Sequence, residues 1–371
     1  MSAAQPEEGT GQRSAAEREQ EVLDRAERAR RRAPKVREER ITLAHGAGGR
    51  SSHALTEAVF LAAFSNPALD ALEDQALLAV GGERLAFTTD SFVVSPLFFP
   101  GGSIGDLAVN GTVNDLAVSG AEPRFLSAGF IIEEGLAVAD LERIVADMRA
   151  AAAAAGVTIV TGDTKVVERG KGDGCYINTS GVGVLSRPVE LGARFARPGD
   201  AVLVSGPIGE HGITILLSRG DLDIESDIES DTAPLHELTA AVLDAADGVR
   251  CMRDATRGGV ATVLNEIAGA ADVGIHLTEG ALPLRPDVVG ACEVLGIDPL
   301  YVACEGRMVV VVDGAQADAA LAALQALPAG AQASRIGTVA ADPAGMVLLE
   351  TTFGGNRVVD VLVGDPLPRI C

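Results

Sequence analysis

Residues 77–119 read LLAVGGERLAFTTDSFVVSPLFFPGGSIGDLAVNGTVNDLAVS. Two short apolar runs, 77–80 and 85–89, come one after the other, and the longer stretch 104–119 follows them. Their hydrophobic patterns predict two strands and then a helix. Because the strands precede the helix instead of alternating with helices one by one, this order favours an α+β fold over a strict βαβ arrangement.

The remainder of the chain continues with elements of the same kind. Further strands are predicted at 125–132, 157–161, 176–185, 201–205, 274–277, 307–312 and 346–349, and further helices at 52–64, 136–155, 208–218, 234–246, 259–270, 286–295 and 315–326. The polar, Gly- and Pro-bearing segment 191–200 lies between two strong strands, as is typical of a domain junction. We therefore expect a charged tail over 1–40, an N-terminal domain over 41–190, a C-terminal domain over 191–352 and a flexible tail over 353–371. The acidic segment 221–231, DLDIESDIESD, is predicted to be an exposed loop.

Charge and cysteine content exclude several classes of function. The 52 acidic residues outnumber the 30 Lys and Arg, and the formal charge of −22 repels nucleic acid and anionic membranes. The five cysteines are an odd number with no CxxC motif, which predicts a reduced, cytoplasmic protein. No apolar run reaches the roughly 18 residues that a membrane span needs. Any anionic ligand must therefore be held locally, by backbone N–H groups, a metal ion or single basic side chains.

A glycine-rich loop lies just before the first predicted helix. Residues 44–50 read AHGAGGR, and glycines at this density let a backbone wrap closely around an anion. The loop matches neither the dinucleotide-binding pattern nor the Walker pattern. A plain glycine turn with an incidental His45 is an equally good interpretation of this loop alone.

Acidic and amide side chains recur where the predicted strands and helices of the first domain end. Hard oxygen ligands at such positions suit Mg²⁺, which binds a few carboxylates and keeps water and substrate phosphates in its shell. For any single one of them a turn or cap residue is the better interpretation, so the number of them carries the prediction. They are Glu73, Asp74, Asp90, Asn110, Asn114, Asp115 and Asp163.

Three further segments place acids beside bases. Lys165 follows Asp163 at the end of an apolar strand, where it could neutralise phosphate or transfer a proton. The segment 253–259, RDATRGG, is predicted to open a helix and to place two arginines at its positive end. Glu305 precedes a very apolar strand, so we expect partial burial and the raised basicity of a general base. A solvent-facing glutamate and a simple helix cap are the alternatives.

The chain ends on a cysteine. Residues 365–371 read DPLPRIC, and the two prolines keep this segment extended. A thiol on such an arm is a candidate carrier of a covalently bound group, because the thiolate is a strong nucleophile. A frayed terminus without function is the alternative.

Seven motifs together resemble the HypE family of hydrogenase maturation proteins. They are AHGAGG (44–49), TTDSFVVSPLFFPGG (88–102), GTVNDLAVSGA (111–121), TGDTKVVERG (161–170), RDATRGGVATVLNEIA (253–268), ACEGR (303–307) and PRIC (368–371). The resemblance runs from about residue 41 to Cys371. It implies the two-domain α+β architecture of aminoimidazole ribonucleotide synthetase (PurM), with a homodimer paired through the N-terminal domains and a mobile C-terminal tail.

The resemblance also implies a reaction. In this family a carbamoyltransferase, HypF, loads a carbamoyl group on the terminal cysteine, here Cys371. ATP converts the carbamoyl oxygen to a phosphate leaving group, and loss of phosphate and of the nitrogen's protons leaves a thiocyanate. A HypC–HypD complex then accepts the cyanide for the [NiFe] centre. ATP and Mg²⁺ are the cofactors implied.

Site residues follow from the matching motifs. Lys165 and Glu305 match the family's proton-transfer pair, and the sequence leaves open which of them is the base. In one departure, Glu73 stands where relatives commonly have an aspartate. Asp74, Asp90 and Asp115 are implied for Mg²⁺, and ATP binding is implied for these three and for His45, Gly46, Asn110, Asp163, Arg253, Asp254 and Arg257.

Two other functions stay compatible with the sequence. The first is a small-molecule kinase or synthetase of the same architecture, in which Cys371 is inert. The second is a non-catalytic nucleotide-binding scaffold that presents its tail as a docking peptide.

Overall fold

The first of two large sheets has five strands in the order β1-β2-β7-β5-β6. The computed structural model describes residues 36, 38–220, 226–362, 367 and 369–371, so most of the predicted charged tail lies outside the described residues. All pairings in this sheet are antiparallel except β5 with β6. The strands are β1 (Ala76–Val80), β2 (Glu83–Phe92), β5 (Glu122–Glu133), β6 (Thr158–Val167) and β7 (Cys175–Val184), and β3 (Phe98–Phe99) pairs with β4 (Gly102–Ser103) as a separate ribbon.

Helices cover one face of this sheet. Helix α1 (Arg50–Leu55) continues through a π-helical stretch (Thr56–Leu61) into α2 (Ala62–Phe64), and it precedes the sheet in sequence. Helices α3 (Ile104–Val118) and α4 (Val138–Ala154) pack on the sheet. Helix α3 begins at a capping box, in which Ser103 accepts a hydrogen bond from the Gly105 N–H and Asp106 bonds back to Ser103.

The opposite face of the first sheet is exposed and partly apolar. Phe87 of β2 and Phe125 of β5 both pair with Val182 of β7, and residues paired directly across strands share one face. The two phenylalanines are 40% and 50% exposed. This face therefore presents aromatic side chains to the outside of the single chain.

The second sheet has seven strands in the order β14-β13-β10-β12-β8-β11-β9. Only β10 with β13 is parallel among its pairings. A core built around α7 lies on one face, and a core that includes α6 and α9 lies on the other. The strands are β8 (Ala201–Val204), β9 (Val249–Asp254), β10 (Gly274–Thr278), β11 (Met308–Val312), β12 (Ser334–Ala340), β13 (Met346–Glu350) and β14 (Asn356–Val358), and the helices are α5 (Glu210–Ser218), α6 (His236–Ala245), α7 (Gly259–Ala271), α8 (Pro286–Leu295) and α9 (Ala317–Gln325).

Helix α3 joins the two halves of the structure. It packs on β2 and β7 of the first sheet, and also on α6 and on β9 of the second. Almost all of its side chains are buried, including those of Asn110 and Asn114. Polar residues in a helix buried on all sides need partners, which makes α3 the place where a polar site can form.

The structure confirms the α+β prediction and corrects three details. Strands β9 and β12 were not predicted, because Arg, Asp, Ser and Gly interrupt their apolar runs. Arg253 and Asp254 lie at the end of β9, so the prediction that they open a helix is wrong. In the described part of the acidic segment, Ser226, Asp227 and Glu229 are exposed as predicted, but Ile228 and Asp231 are buried, so the prediction is wrong at those two residues. Among the described residues, no helix combines the length and apolarity needed to cross a membrane.

Candidate active site

Four acidic side chains from elements of both sheets face one another. They are Asp90 of β2, Asp115 of α3, Asp254 at the end of β9 and Glu305 in the segment before β11. Burial raises the pKa of each carboxyl, and repulsion from neighbouring acidic groups, Asp74 among them, raises it further. Several negative charges in one buried cluster are electrostatically unfavourable, and a bound cation would reduce their repulsion.

Asp115 is oriented by a hydroxyl group. Thr88 Oγ1 lies 2.6 Å from Asp115 Oδ2 and 3.0 Å from the backbone oxygen of Asp74. This bond opposes the rise in the pKa of Asp115, although burial and the charges of Asp254 and Asp90 outweigh it. The hydroxyl therefore fixes the direction of one carboxylate of the cluster.

The donor set fits Mg²⁺ that is shared with phosphate. Among the described residues, no three His, Cys, Asp or Glu side chains are arranged as a complete protein cage for a metal. Mg²⁺ does not need one, since it binds one or two carboxylates and keeps water and substrate phosphates as its other ligands. A cluster composed only of carboxylate oxygens has the right chemistry for this hard ion.

Asp74 is held by a buried arginine. The Arg253 guanidinium contacts the Asp74 carboxylate with Nη2 at 2.6 Å and Nε at 3.1 Å from Oδ1, and its Nη1 lies 3.0 Å from Glu266. The Arg253 side chain is only 8% exposed, and the attraction of these two acids raises its pKa against the effect of burial. Arg253 thus anchors β1's leading segment to β9 and α7 rather than standing at a helix N-terminus.

Arg257 is the basic group of the cluster. Its Nη1 donates to the backbone oxygen of Gly46 at 3.2 Å, and its Nη2 lies 3.9 Å from Asp90. The negative charge of Cys371 is the largest cause that raises the pKa of Arg257, ahead of contributions from Asp90 and Glu305. One guanidinium therefore connects the glycine loop, the acidic cluster and the C-terminal residue.

The glycine loop packs closely on the segment that carries Arg257. Gly48 has φ +73°, and a Cβ built there would lie 2.7 Å from the backbone oxygen of Arg257. Gly259, with φ +59°, would place a Cβ 2.6 Å from the carbonyl oxygens of Leu300 and Val302. Both positions require glycine, because a side chain is excluded by backbone conformation and by space.

Glu305 has the environment of a general base. Its side chain is 2% exposed, and Oε1 has no hydrogen-bond partner in the structure. Its backbone is fixed by Asp231 Oδ1, which accepts from the Glu305 N–H at 2.9 Å, and by Asn114 Nδ2, which donates to its carbonyl oxygen at 3.1 Å. Burial and the neighbouring carboxylates raise its pKa well above the ordinary range, so its ionised form is a strong base.

The two asparagines of α3 serve the same region differently. Asn114 bonds to the backbones of residues 233, 235 and 305 and thereby ties α3 to the segment before α6. Asn110 donates to Thr232 Oγ1 at 3.2 Å, and its buried Oδ1 has no partner in the part of the chain that the structure describes. Asn110 therefore retains an acceptor for a ligand, whereas Asn114 is fully used in the fold.

Two residues named by the sequence lie beside the site in structural positions. His45 closes the turn that opens the glycine loop, since Thr42 N donates to its Nδ1 at 3.1 Å. Glu73 accepts from the Ala193 N–H at 2.9 Å, and burial raises its pKa. Glu73 therefore links the segment before β1 to the start of the second half of the chain.

Lys165 and Asp163 lie on the other face of the first sheet. The pair forms an exposed ion pair at 2.7 Å on edge strand β6, with side chains 69% and 67% exposed. Lys165 pairs across the sheet with Ile131, and β5 residues of that parity share the outer face with Phe125. Asp90 pairs with Thr179 on the helix-covered face. Within one chain the sheet separates Lys165 from Glu305.

The C-terminal residue is docked against the segment that follows β2. The Val93 N–H donates to the Cys371 backbone oxygen at 2.9 Å, and the neighbouring Ile370 side chain is buried. The other four cysteines of the chain are buried, whereas Cys371 is half-buried. The structure thus docks the C-terminal residue on the body of the protein, where its charge acts on Arg257.

Three functional candidates escaped the sequence analysis: His211, Ser230 and Asp231. The two latter residues stand in a segment whose repetitive acidic composition resembles a solvated loop. His211 is a single histidine in an apolar helix, with no motif around it. A useful signal would have been the isolated polar side chain within the buried face of α5.

Comparisons with known proteins agree with this geometry. Residues 72–185 match the family model of the N-terminal domain of AIR synthase related proteins, and residues 197–349 match the model of the C-terminal domain. The carbamoyl dehydratase HypE of Rhodobacter capsulatus is 58% identical over 338 residues, which cover 91% of this chain and 99% of that protein.

Solved structures give the same result. The crystal structure of a HypE–HypF complex matches with a TM-score of 0.80 at 48% identity, covering 83% of this chain and all of that one. A HypE crystal structure in complex with ATP matches with a TM-score of 0.75 at 48% identity, covering 90% of this chain and all of that one. With this similarity along both domains, the chain belongs to the HypE family of carbamoyl dehydratases.

Proposed function

We propose that the protein uses ATP to dehydrate a carbamoyl group on Cys371 to a thiocyanate, which supplies cyanide for [NiFe]-hydrogenase maturation. The observation that carries this proposal is that the charge of the terminal residue acts on Arg257, whose guanidinium also lies 3.9 Å from Asp90 of an acidic cluster suited to Mg²⁺. Membership of the carbamoyl dehydratase family supports the same reaction.

The acidic cluster would hold Mg²⁺ and, with it, the phosphates of ATP. Asp90 and Asp115 are the proposed ligands, with Asp254 beside them, and Arg253 keeps Asp74 at the edge of the cluster. The ion supplies neutralisation of phosphate charge during phosphoryl transfer. Asn110, with its unused buried oxygen, is available to the nucleotide.

Residues of the chain itself would stabilise the developing charge and remove the protons. In the overall change, the carbamoyl oxygen leaves as part of phosphate, and the nitrogen gives up both of its protons to form the C≡N bond. Arg257 stabilises negative charge that develops next to Cys371. Glu305 is the better-placed base within one chain, because Lys165 lies across the sheet.

In a dimer, Lys165 of one chain would act at the site of the other chain. We propose a homodimer that covers the outer face of the first sheet, where Phe87, Phe125 and Ile131 are exposed. Lys165 shares that face and would point into the interface. A dimer would bury this apolar surface, and the proposal is that it brings the lysine to the partner's site.

The proposal also includes two domains, two protein partners and a cellular compartment. The N-terminal domain over 41–190 contains the first sheet, and the C-terminal domain over 191–352 contains the second sheet except its edge strand β14, which lies in the predicted tail. The partners would be the carbamoyltransferase HypF, which loads Cys371, and a HypC–HypD complex, which accepts the cyanide. The reaction would take place in the cytoplasm.

Intact-mass measurement tests the function directly. After incubation with HypF, carbamoyl phosphate, ATP and Mg²⁺, we expect a mass gain on Cys371 that matches a cyano group. The Cys371→Ser variant is the matched control and should gain nothing.

The two alternative functions predict different outcomes in the same experiment. A small-molecule kinase would leave Cys371 unmodified and would hydrolyse ATP equally well after the serine substitution. A non-catalytic scaffold would hydrolyse no ATP in either form.

A further inference from the structure

The last residues of the chain run alongside the segment after β2 and are joined to it by two backbone hydrogen bonds. The Val93 N–H donates to the Cys371 carbonyl at 2.9 Å, and the Ser95 N–H donates to the Arg369 carbonyl at 3.2 Å. The bonds are two residues apart on both partners and run in the antiparallel sense. This register fixes where Cys371 lies along the body of the protein.

Guanidinium groups bond to carbonyls of both segments. Arg369 donates to the Val93 carbonyl at 3.2 Å. Arg219, just after α5, donates to the carbonyl of Ser95 at 3.1 Å and to that of Arg369 at 3.0 Å. Arg369 itself has φ +57°, a conformation that a non-glycine residue keeps only when its surroundings impose it.

The Ile370 carbonyl points the opposite way, into the protein, and meets His211. His211 Nε2 lies 2.6 Å from this oxygen, and Nδ1 lies 2.7 Å from Ser230 Oγ. Because a carbonyl can only accept, Nε2 carries the proton and Nδ1 accepts from the Ser230 hydroxyl. Burial lowers the pKa of His211 to about 4, so this neutral tautomer persists at neutral pH.

Apolar packing also holds the C-terminal residues in this docking site, which we call the seat. Leu367 and Ile370 are buried in the core cluster that includes Ile213 and Val302. A Cβ built at Gly212 would lie 3.3 Å from Leu367 Cδ1, so α5 approaches the tail closely. The seat therefore has shape as well as hydrogen bonds.

The seat is connected to the candidate base. Ser230, which bonds His211, precedes Asp231, and Asp231 accepts from the Glu305 N–H at 2.9 Å. The same short segment thus orients the imidazole that touches the tail and the backbone of Glu305. Nothing in the proposed chemistry uses His211 itself, which lies behind Ile370 rather than at Cys371.

We propose that His211 is a positioning residue for the carrier thiol: it holds the Ile370 carbonyl and so places Cys371 beside Arg257. Arg219 assists from the outer side of the tail. Loss of this hydrogen bond releases the C-terminal residues and exposes the thiol, while the cluster of Asp90, Asp115 and Asp254 stays intact. The docking of the C-terminal residues does not depend on the dehydration reaction. Its effect on the rate of that reaction rests on the proposed function.

Paired substitutions test the role of the Nε2 donor. In His211→Gln the side-chain amide nitrogen replaces Nε2, whereas in His211→Asn it reaches only the position of Nδ1. The readout is the rate at which iodoacetamide alkylates Cys371 in the full-length protein, since the other four cysteines are buried. We expect a rate about tenfold higher for H211N and near the wild-type rate for H211Q, as for the loss and retention of one buried hydrogen bond.

Controls separate seating from general damage. Ser218→Ala removes a hydroxyl that bonds only within α5, to the Thr214 carbonyl at 2.7 Å, and should leave alkylation unchanged. Should H211N fail to fold, Arg219→Gln, which removes the donors to Arg369 and Ser95 from the outer side, takes its place with the same expectation. A folded H211N or R219Q that alkylates at the wild-type rate overturns the proposal.

A second readout distinguishes this proposal from the proposed function. With HypF and carbamoyl phosphate, H211N should be carbamoylated as completely as wild type but converted to the thiocyanate more slowly, and H211Q should restore the rate. Equal conversion rates for H211N and wild type would contradict the positioning role. Absence of thiocyanate in wild type would contradict the function alone, and the alkylation result would still decide the seat.

Discussion

Arg253, at the end of strand β9, forms an ion pair with Asp74 in the segment before β1, and its Nη2 lies 2.6 Å from Asp74 Oδ1. The two residues are 179 positions apart in sequence. Their side chains are 8% and 17% exposed, so the ion pair is almost fully withdrawn from water. Removing one partner of such a pair leaves an unpaired buried charge.

Arg253→Met should therefore lower the free energy of unfolding by about 3–5 kcal/mol. Asp74 and Glu266 both lose their cationic partner, and the methionine replaces only the volume. Urea denaturation at neutral pH measures the change. Arg124→Met, which breaks an exposed pair with Glu122, is the control and should cost at most about 1 kcal/mol. Equal effects of the two substitutions would show that the Arg253 pair is not special.

The buried Asp231 should make stability depend on pH. Burial raises its pKa to about 6, whereas an aspartate in the unfolded chain titrates near pH 4. The folded state holds the proton more tightly, so the contribution is fully present below about pH 4 and is lost as the pH rises to about 6. In Asp231→Asn this loss should be absent, while the amide oxygen still accepts from the Glu305 N–H.

Urea denaturation of both proteins between pH 4 and pH 7 checks this. The stability of the variant relative to wild type should increase with pH, by on the order of 2 kcal/mol across that interval. A difference that stays constant with pH would show that Asp231 does not titrate in this range.

Glu305→Gln should abolish most of the dehydration. The substitution keeps the shape of a buried side chain and removes the base, so we expect the rate of thiocyanate formation to fall by about 10²-fold or more. Carbamoylation of Cys371 by HypF should proceed as in wild type. Glu293→Gln, an exposed substitution on α8, is the control. A thiocyanate rate near wild type would exclude Glu305 as the base.

Mixing two inactive variants should reveal whether Lys165 acts across chains. Lys165→Ala and Glu305→Gln each damage one component of the site. If a second chain supplies the lysine, random mixed dimers contain one intact site in every heterodimer, and activity returns to roughly a quarter of wild type.

Native mass spectrometry, which resolves the heterodimer from the two homodimers by mass, verifies that subunits exchange. No recovery in exchanged dimers would mean that Lys165 and Glu305 act within one chain, whereas an active Lys165→Ala variant would mean that Lys165 has no role. Phe125→Asp should prevent both dimer formation and recovery, because it places a charge on the exposed apolar face.

Local sequence determined the elements and the residue types of the site. The alternation of apolar residues predicted most strands and helices, since burial of one face is a property of the segment itself. Local sequence also shows three features of the site, because each is a matter of residue type and position. They are the terminal Cys371, the glycine loop at 44–49 and the recurrence of acidic residues at Asp74, Asp90 and Asp115. They indicate chemistry without any knowledge of how the chain is folded.

Tertiary structure alone decided which of these residues meet. Arg253 pairs with Asp74 rather than with a ligand, because β9 and the segment before β1 become neighbours only in the fold. Lys165 lies across the sheet from Glu305, because direct pairing along β5 and β6 fixes the face of every side chain. His211 and Asp231 gain their roles from burial against Ile370 and Glu305. These contacts join residues far apart in sequence, and their energy depends on withdrawal from water, which no local pattern records.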